Sequence, residues 1–238
     1  MGSNLRVAIH QPQFLPYPGF FHKLTLADIW VVMDDVQYDK RFTNRNRILA
    51  PSGPIWLTVP IDKSQKFGKN MDVTINNDIP WRGEHWKKLS YSYRNARGFK
   101  EYGPYFEELY SREHSKLLDL DLETTRKVLD WLGINVSVIM ESDLGVQGEG
   151  TRRLVEVCKA LGADTYVSGQ GGKGYMEESL FDQNGVGLEF QEYKPAPYAQ
   201  RFVREFEPNL SVVDLLFNTG REAAGYLSSG ETVSPKAT

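Results

Sequence analysis

Two apolar runs near the start of the chain each end in polar side chains that could do chemistry. His10 follows the run 5–9, and Asp34 and Asp35 follow the run 29–33. An imidazole can serve as a general base or bind a phosphate, and a carboxylate beside it can orient it or bind magnesium. Because side chains alternate along a strand, we expect one aspartate to face the same crevice as His10 and the other to turn aside. The alternatives are a structural histidine and a solvated turn.

The loop after His10 holds three prolines and two glutamines, so its backbone is constrained. His22 follows within the next predicted helix and could point into the same crevice. The catalytic candidates are therefore His10, His22, Asp34 and Asp35, and Gln11 and Gln13 are candidates for binding the substrate.

The segment 40–47 contains four cationic and two amide side chains in eight residues. Arginine binds phosphates and carboxylates through two parallel hydrogen bonds. On a strand, Arg45 and Arg47 would face one side, and Asn44 and Asn46 the other. The regularity favours an anion site for one pair, with a basic, solvated strand face as the alternative.

A glycine-rich segment, SGQGGKGYM, follows a third predicted strand. Glycines let backbone N–H groups approach an anion closely, and the lysine adds positive charge. The spacing fits neither the Walker A pattern nor the dinucleotide fingerprint, and a turn without a ligand is the alternative. The candidates here are Ser168, Gly169, Gly171 and Lys173. Tyr198 and Gln200, in YKPAPYAQ, could line the same pocket.

Hydrophobic periodicity predicts the elements that must position these residues. Strands are expected at 5–10, 29–33, 71–75, 136–140, 165–168 and 187–193, and a hairpin around PSGP. Helices are expected from residue 18, within 80–132, and at 150–161 and 208–220, with a frayed tail over 233–238. The cap of the 208–220 helix is expected to be Asn209 or Ser211. The order predicts an α/β fold with a mainly parallel sheet flanked by helices, an inserted β-hairpin and a helical block. We expect one domain over 1–238, with 80–132 as a helical block or small subdomain.

The overall composition narrows the class of protein. The net charge of -3 argues against nucleic-acid binding, and no apolar run is long enough to span a membrane. The one cysteine, Cys158, excludes an internal disulfide, and no metal-ligand spacing occurs, so no metal site is predicted. We expect a cytoplasmic protein that binds a small-molecule substrate; the sequence favours no particular oligomeric state.

Several motifs, in order, resemble the WbqC-like protein family. They are IHQPQFLPYPGFFHK, ADIWVVMDDVQY, NRNRI, WLTVPI, YVSGQGGKGY, YKPAPYAQ and LSVVDLLFNTG, and they span residues 5–220. The resemblance implies a role in bacterial O-antigen or other polysaccharide biosynthesis, with glycine transfer as the suggested activity.

These observations lead to one principal hypothesis and two alternatives. In the first, the protein is an acyl or aminoacyl transferase acting on a nucleotide-linked or otherwise activated amino sugar. His10 would deprotonate the amine, Asp34 or Asp35 would orient His10, and the cationic and glycine-rich segments would hold phosphates. The alternatives are an adenylyl-transferring enzyme that activates a small carboxylic acid, and a non-catalytic protein that binds a sugar or nucleotide. ATP and magnesium are the candidate cofactors.

The adenylyl-transfer alternative comes from a more distant likeness. The first strand, the loop, a helix beginning PGF and the second strand resemble the opening of paired-histidine nucleotidyltransferases and pantothenate-synthetase-like enzymes. This sequence has Pro16-Tyr17-Pro18-Gly19 where the paired histidines would stand, which argues against ATP chemistry of that type.

Overall fold

The apolar runs that end in His10 and Asp34 are neighbouring strands of one sheet. The computed structural model describes residues 4–228. Its strands are β1 (Arg6–His10), β2 (Ile29–Val32), β3 (Arg45–Ala50), β4 (Gly53–Thr58), β5 (Ser137–Met140), β6 (Thr165–Ser168) and β7 (Gly187–Phe190). Its α-helices are α1 (Pro18–Thr25), α2 (Trp81–Tyr93), α3 (Phe99–Ser111), α4 (Leu117–Leu132), α5 (Gly150–Leu161), α6 (Glu178–Gln183), α7 (Val212–Thr219) and α8 (Gly225–Ser228).

The five-stranded sheet has the order β5-β2-β1-β6-β7, and every neighbouring pair is parallel. The chain therefore builds outward from β1 through β2 to β5, and then crosses to the other side of β1 to form β6 and β7. The boundary between β1 and β6 is a topological switch point, where open α/β sheets bind ligands. Strands β3 and β4 form a separate antiparallel hairpin.

Alternate side chains of the central strands enter two different hydrophobic cores. Ala8 and Trp30 belong to the larger core, which also receives α1, the hairpin, α2–α4 and α7. Val7, Ile9 and Val31 belong to the smaller core, formed with α5 and α6. A strand buried on both faces reads as a continuous apolar run, which is why β1 and β2 could be recognised in the sequence.

The predicted α/β class, the mainly parallel sheet and the inserted hairpin are confirmed. The strand predicted at 71–75 is wrong. Residues Asn70–Asp72 form a 3-10 turn, and the residues after it make single bridges instead of a ladder. On one side the backbone partner is Asp62, where the chain enters another 3-10 turn, and on the other side the partners are Ser115 and Leu117, where the chain enters α4. Neither neighbouring segment continues as a strand.

Of the two predicted caps of the 208–220 helix, Ser211 is confirmed. Helix α7 begins at Val212, because Asn209 has φ +59 and Ser211 accepts a hydrogen bond from the Val213 N–H at 3.3 Å. Strand β7 ends at Phe190, and residues of the following segment line a cleft instead. The tail predicted to fray, 233–238, lies outside the described residues. Over residues 4–228, no helix combines the length and apolar character that crossing a bilayer requires.

Candidate functional site

A cleft of about 940 Å³ opens at the carboxyl ends of the central strands. It is lined by His10 at the end of β1, Asp35 after β2, Ser168 at the end of β6 and Gln191 after β7. This is the position that the switch point between β1 and β6 predicts. The volume is typical of sites that enclose a small molecule.

His10 presents a hydrogen-bond acceptor to this cleft. Its Nδ1 lies 2.8 Å from the carbonyl oxygen of Gln11, which can only accept, so Nδ1 carries the proton. Burial, and secondarily the charge of Lys23, lower the pKa of His10 to about 3. The ring is therefore neutral at pH 7 and leaves Nε2 with its lone pair. Phe20 packs edge-on against the imidazole, with 5.3 Å between ring centroids, and fixes its plane.

Lys23 is a cleft residue that the sequence reasoning missed. It lies near the end of α1, lines the cleft and is 3% exposed. Within residues 4–228, its ammonium has no hydrogen-bond acceptor and no carboxylate partner. Burial lowers its pKa to about 7. The available signal was its position three residues after Phe20 and four after Gly19, on the buried stripe of a helix.

Asp34 and Asp35 point in different directions, as the alternation of side chains along a strand predicts. Asp35 faces the cleft, where Lys69 pairs with its carboxylate and Arg153 lies 3.7 Å away. The hydrogen bond from Lys69 lowers the pKa of Asp35. Asp34 turns aside and accepts hydrogen bonds from the Ser142 N–H and hydroxyl, at 3.0 and 2.6 Å, which ties β2 to the segment after β5.

Arg153 connects the cleft to a buried carboxylate. Its Nε donates to Glu141 at 2.6 Å, and Glu141 is 1% exposed. The guanidinium therefore holds a fixed position between Glu141 and Asp35. Gly148, Glu149 and Gly150 line the cleft beside it, at the N-terminus of α5. The sequence reasoning missed this group, although the QGEGTRR stretch places glycines and arginines at a helix start.

The glycine-rich segment contributes backbone to the cleft. Ser168, Gly169 and Gly171 line it, and so does Gly172, whose position leaves no room for a side chain. A Cβ on Gly172 would lie 2.4 Å from the Met176 methyl group and 2.5 Å from the Ser168 hydroxyl. Lys173 lies outside the lining, with its Nζ 5.1 Å from the ring centroid of Phe190.

The arginines predicted to bind an anion are placed elsewhere. The guanidinium of Arg45 lies over the ring of Trp56, 4.5 Å from its centroid, and Arg47 lies 3.8 Å from Glu207. Neither lines the cleft. Arg41 from the same cationic segment does, paired with Asp39.

The two asparagines of that segment anchor the hairpin to the rest of the molecule. Asn44 is buried and its side-chain amide donates to the Val59 carbonyl at 2.8 Å. Asn46 is also buried and donates to the Leu15 carbonyl at 2.7 Å. Both are thus structural contacts outside the cleft lining.

Three further predicted residues lie behind or beside the cleft. His22 is buried and accepts a hydrogen bond at Nδ1 from Gln191, at 2.8 Å, so a lining residue separates it from the open space. Tyr198 and Gln200 donate to the carboxylate of Asp214, at 2.8 and 2.9 Å, and fasten their segment to α7. Of the predicted binding glutamines, Gln11 and Gln13 do line the cleft.

The aromatic rings at the cleft come from two segments that the sequence does not place together. Tyr17 precedes α1 and Tyr193 follows β7, and their ring centroids lie 6.3 Å apart. Gly19 permits this contact, since a Cβ there would lie 2.4 Å from the Tyr17 ring and 2.6 Å from the Tyr193 ring. Over the described part of the chain, no group of three or more His, Cys, Asp or Glu side chains is arranged to hold a metal ion.

Comparison with known proteins agrees with the resemblance seen in the motifs. The model of the WbqC-like protein family matches residues 11–226. The uncharacterized protein Rv1507c of Mycobacterium tuberculosis is 32% identical over 224 residues, which cover 93% of this chain and 97% of that protein. No solved structure matches. The chain belongs to the WbqC-like protein family.

Proposed function

We propose that the chain is a transferase that attaches an acyl or aminoacyl group, such as glycyl, to a nucleotide-linked or otherwise activated amino sugar in polysaccharide (O-antigen-type) biosynthesis. The observation that carries the proposal is the cleft at the switch point. One open space brings together a neutral histidine, a fixed arginine and a glycine-rich backbone segment. Its volume of about 940 Å³ is large enough for a ligand of the size of a sugar nucleotide.

His10 has the protonation state that this reaction needs. Its Nε2 can accept a hydrogen bond from the attacking amine of the sugar and so direct the nitrogen lone pair toward the acyl carbon. As the C–N bond forms, the bond between the acyl carbon and the donor's leaving group breaks, and the proton lost by the amine passes to that leaving group or to solvent. The low pKa suits it to hold and orient an N–H group more than to remove a proton completely. The Gln11 carbonyl orients the imidazole, in the role that the sequence had suggested for an aspartate.

The phosphates of the activated sugar would lie against backbone and cations on the other strands. The N–H groups of the segment at Gly169 and Gly171, and the N-terminus of α5, are suited to anions. Arg153 adds a guanidinium that Glu141 and Asp35 hold in place. In this proposal, Arg45 and Arg47 stabilise the hairpin and do not touch the substrate.

The test is product formation with purified protein. A panel of amino-sugar nucleotides is incubated with glycine and ATP, or with preformed glycyl donors, and an amide product is sought by mass spectrometry. We expect a product whose rate falls about 10²-fold or more in His10→Ala, because the attacking amine is no longer held in line with the acyl carbon. His85→Asn is the matched control: His85 also has a pKa lowered to about 3 by burial, but it bonds to Thr58 away from the cleft.

Two results would contradict the proposal. One is the absence of any amide product across the panel in protein that binds the nucleotides by calorimetry, which would favour a binding protein. The other is a rate of product formation in His10→Ala equal to that of the native protein, which would show that His10 does not orient the attacking amine.

Adenylyl transfer to a small carboxylic acid is the second candidate, and the strand order favours it. In chain order, the parallel strands are arranged 3-2-1-4-5, the order of many nucleotide-binding sheets. This support comes from the similarity of the strand order and not from the residues of the site. ATP–pyrophosphate exchange that depends on an added carboxylic acid would establish this candidate over the first.

A further inference from the structure

Lys23 is a buried cation that nothing in the described chain compensates. It is 3% exposed, it faces the cleft, and within residues 4–228 no acceptor or carboxylate contacts its Nζ. Buried lysines are ordinarily paired, because removing an ammonium from water without a partner is unfavourable. A group that remains unpaired and borders an open cleft is available to a ligand.

We propose that Lys23 anchors an oxyanion subsite in the cleft, which binds a phosphoryl group of the substrate. The inference deepens the proposed function by naming the part of the substrate that Lys23 holds. It does not depend on the transfer reaction itself.

The surroundings of Lys23 favour an anion over a neutral or cationic group. His10, from β1, is the neighbour whose interaction with Lys23 is resolved, and it is neutral at pH 7. The tyrosines at the cleft, Tyr17 and Tyr193, have pKa values raised by burial and are neutral as well. Neither β1 nor these flanking segments therefore presents a negative charge to the ammonium.

The charged residues of the lining are mostly matched with one another. Asp35 is paired with Lys69 and Arg153, and Asp39 with Arg41. Glu149 is the remaining acidic lining residue, at the start of α5. No carboxylate among the described residues, Glu149 included, lies close enough to Lys23 to raise its pKa, so none of them supplies the negative charge that Lys23 lacks.

The backbone donors that line the same cleft favour a phosphoryl group over a carboxylate. A phosphoryl group has three oxygens that accept hydrogen bonds, and the cleft offers the N–H groups of the segment at Gly169 and Gly171. The start of α5 adds the partial positive charge of a helix N-terminus. A carboxylate could use fewer of these donors.

Binding of an oxyanion should be accompanied by proton uptake, because the Lys23 side chain is only partly protonated in the unliganded protein. Burial brings the pKa of Lys23 to about 7, so the unliganded protein holds a mixture of ammonium and amine at neutral pH. An oxyanion binds the ammonium form and draws the proton from solvent. The apparent affinity should therefore weaken about tenfold between pH 6 and pH 8, as the ammonium fraction falls.

The test uses inorganic sulfate as the probe, because this tetrahedral oxyanion does not titrate in that range. The full chain is labelled with ¹³C-lysine, and the Lys23 Cε signal, assigned from its absence in Lys23→Met, is followed from pH 6 to pH 9. We expect added sulfate to raise the midpoint of the Lys23 titration. Sulfate affinity, from amide shifts at the cleft, should weaken about tenfold from pH 6 to pH 8.

Three variants make the outcome specific. Lys23→Met should bind sulfate at least about tenfold more weakly than the native protein at pH 6, with no pH dependence. Lys23→Arg should retain binding without pH dependence, because a guanidinium stays charged. Lys159→Met, which removes an exposed lysine of α5 paired with Glu156, should behave as the native protein.

Equal sulfate affinity in the native protein and Lys23→Met would overturn the proposal. The proposal would also be overturned if acetate, and not sulfate, raised the midpoint of the Lys23 titration, because the ligand bound there would then be a carboxylate. These measurements need no acyl donor. A transfer assay without product would therefore not contradict the role of Lys23, and a sulfate assay without binding would not contradict the transfer reaction.

Discussion

The pH dependence of stability should reveal the cost of burying Lys23. The folded-state pKa of about 7 lies below the ordinary value of 10.5. Between these values the unfolded chain binds more protons, so the free energy of unfolding should rise by about 1.4 kcal/mol per pH unit from this residue. Below pH 7 Lys23 is protonated in both states, and the full free-energy cost of burying its ammonium is present. Lys23→Met removes the titrating group, and its stability advantage should be largest below pH 7 and should fall as the pH rises above 7.

Urea unfolding of the native protein and Lys23→Met at pH 7, 8 and 9 measures this effect, because other titrating groups cancel in the difference between them. The difference in free energy of unfolding should narrow as the pH rises. A constant difference over that range would show that Lys23 is as well solvated in the folded protein as in the unfolded chain.

Asp121 of α4 should show the opposite dependence on pH. It is 1% exposed, and neither of its carboxylate oxygens has a partner among the described residues. Burial raises its pKa well above the ordinary 3.8. Above pH 3.8 the folded state therefore holds the extra proton, and the free energy of unfolding should fall by about 1.4 kcal/mol per pH unit until the raised pKa is reached.

Asp121→Asn keeps the shape and removes this titration. Chemical denaturation at pH 5, 6 and 7 should show the variant gaining stability over the native protein as the pH rises. Parallel curves for the two proteins would mean that the carboxyl group titrates normally in the folded state.

At the scale of single residues, the sequence located His10 and Asp35 in the cleft because strand ends and alternation are local properties. It missed Lys23 because charged residues are expected at the surface, although the helical register had put this one on the buried stripe. The sequence did not predict where Arg45 and Arg47 lie, because their contacts are with residues of other segments. Their partners, Trp56 and Glu207, are set by tertiary packing that no local pattern reports.

At the scale of elements, the glycine-rich segment should tolerate a side chain at one position and not at the next. Gly172→Ala would place a Cβ 2.4 Å from the Met176 methyl and 2.5 Å from the Ser168 hydroxyl. The methionine can move, but the serine is held at the end of β6, so we expect a loss of about 1–3 kcal/mol in stability. Gly171→Ala is the matched change, with no atom within 4 Å of its Cβ.

Thermal unfolding of the two variants gives the comparison. The melting temperature of Gly172→Ala should drop by several degrees, whereas Gly171→Ala should match the native protein. Equal drops would indicate that the segment needs glycine for backbone freedom at both positions, and that the close packing of Gly172 is not the reason.

Whether a segment forms a helix or a strand could be predicted wherever its hydrophobic pattern extended over many residues or was bounded by glycine and proline. Helix α5 has the predicted bounds, 150–161, because Gly162 ends it in a left-handed conformation. The segment 71–75 failed because alternating apolar residues form a strand only if a neighbour continues alongside. There, the neighbouring chain enters α4 after single bridges.

At the scale of the whole molecule, the sequence implied a parallel sheet but not its order. The pairing of β1 with β2 follows from the short β-α-β connection, whereas the pairing of β1 with β6 joins segments that lie far apart in the chain. That second pairing creates the switch point and hence the cleft. A pattern that describes one segment at a time cannot specify it.

The distribution of the core leads us to propose that the chain unfolds as one domain and that residues 80–132 are not an independent subdomain. The helical block α2–α4 shares the larger hydrophobic core with Ala8 and Trp30 of the sheet and with Phe217 of α7. The block therefore cannot unfold without exposing one face of the sheet, and the loss of that face would leave β1 and β2 without half of their burial.

Leu120→Ala, in the fully buried part of α4, tests this coupling. Deleting a buried leucine side chain should lower the free energy of unfolding by about 2–5 kcal/mol. If the block and the sheet form one cooperative unit, the whole transition should shift together. Val157, fully buried in α5 on the opposite face of the sheet, should then lose hydrogen-exchange protection by the same increment as amides within α4. Loss of protection confined to α2–α4 would instead show a block that opens alone, and would place its boundary between β4 and β5.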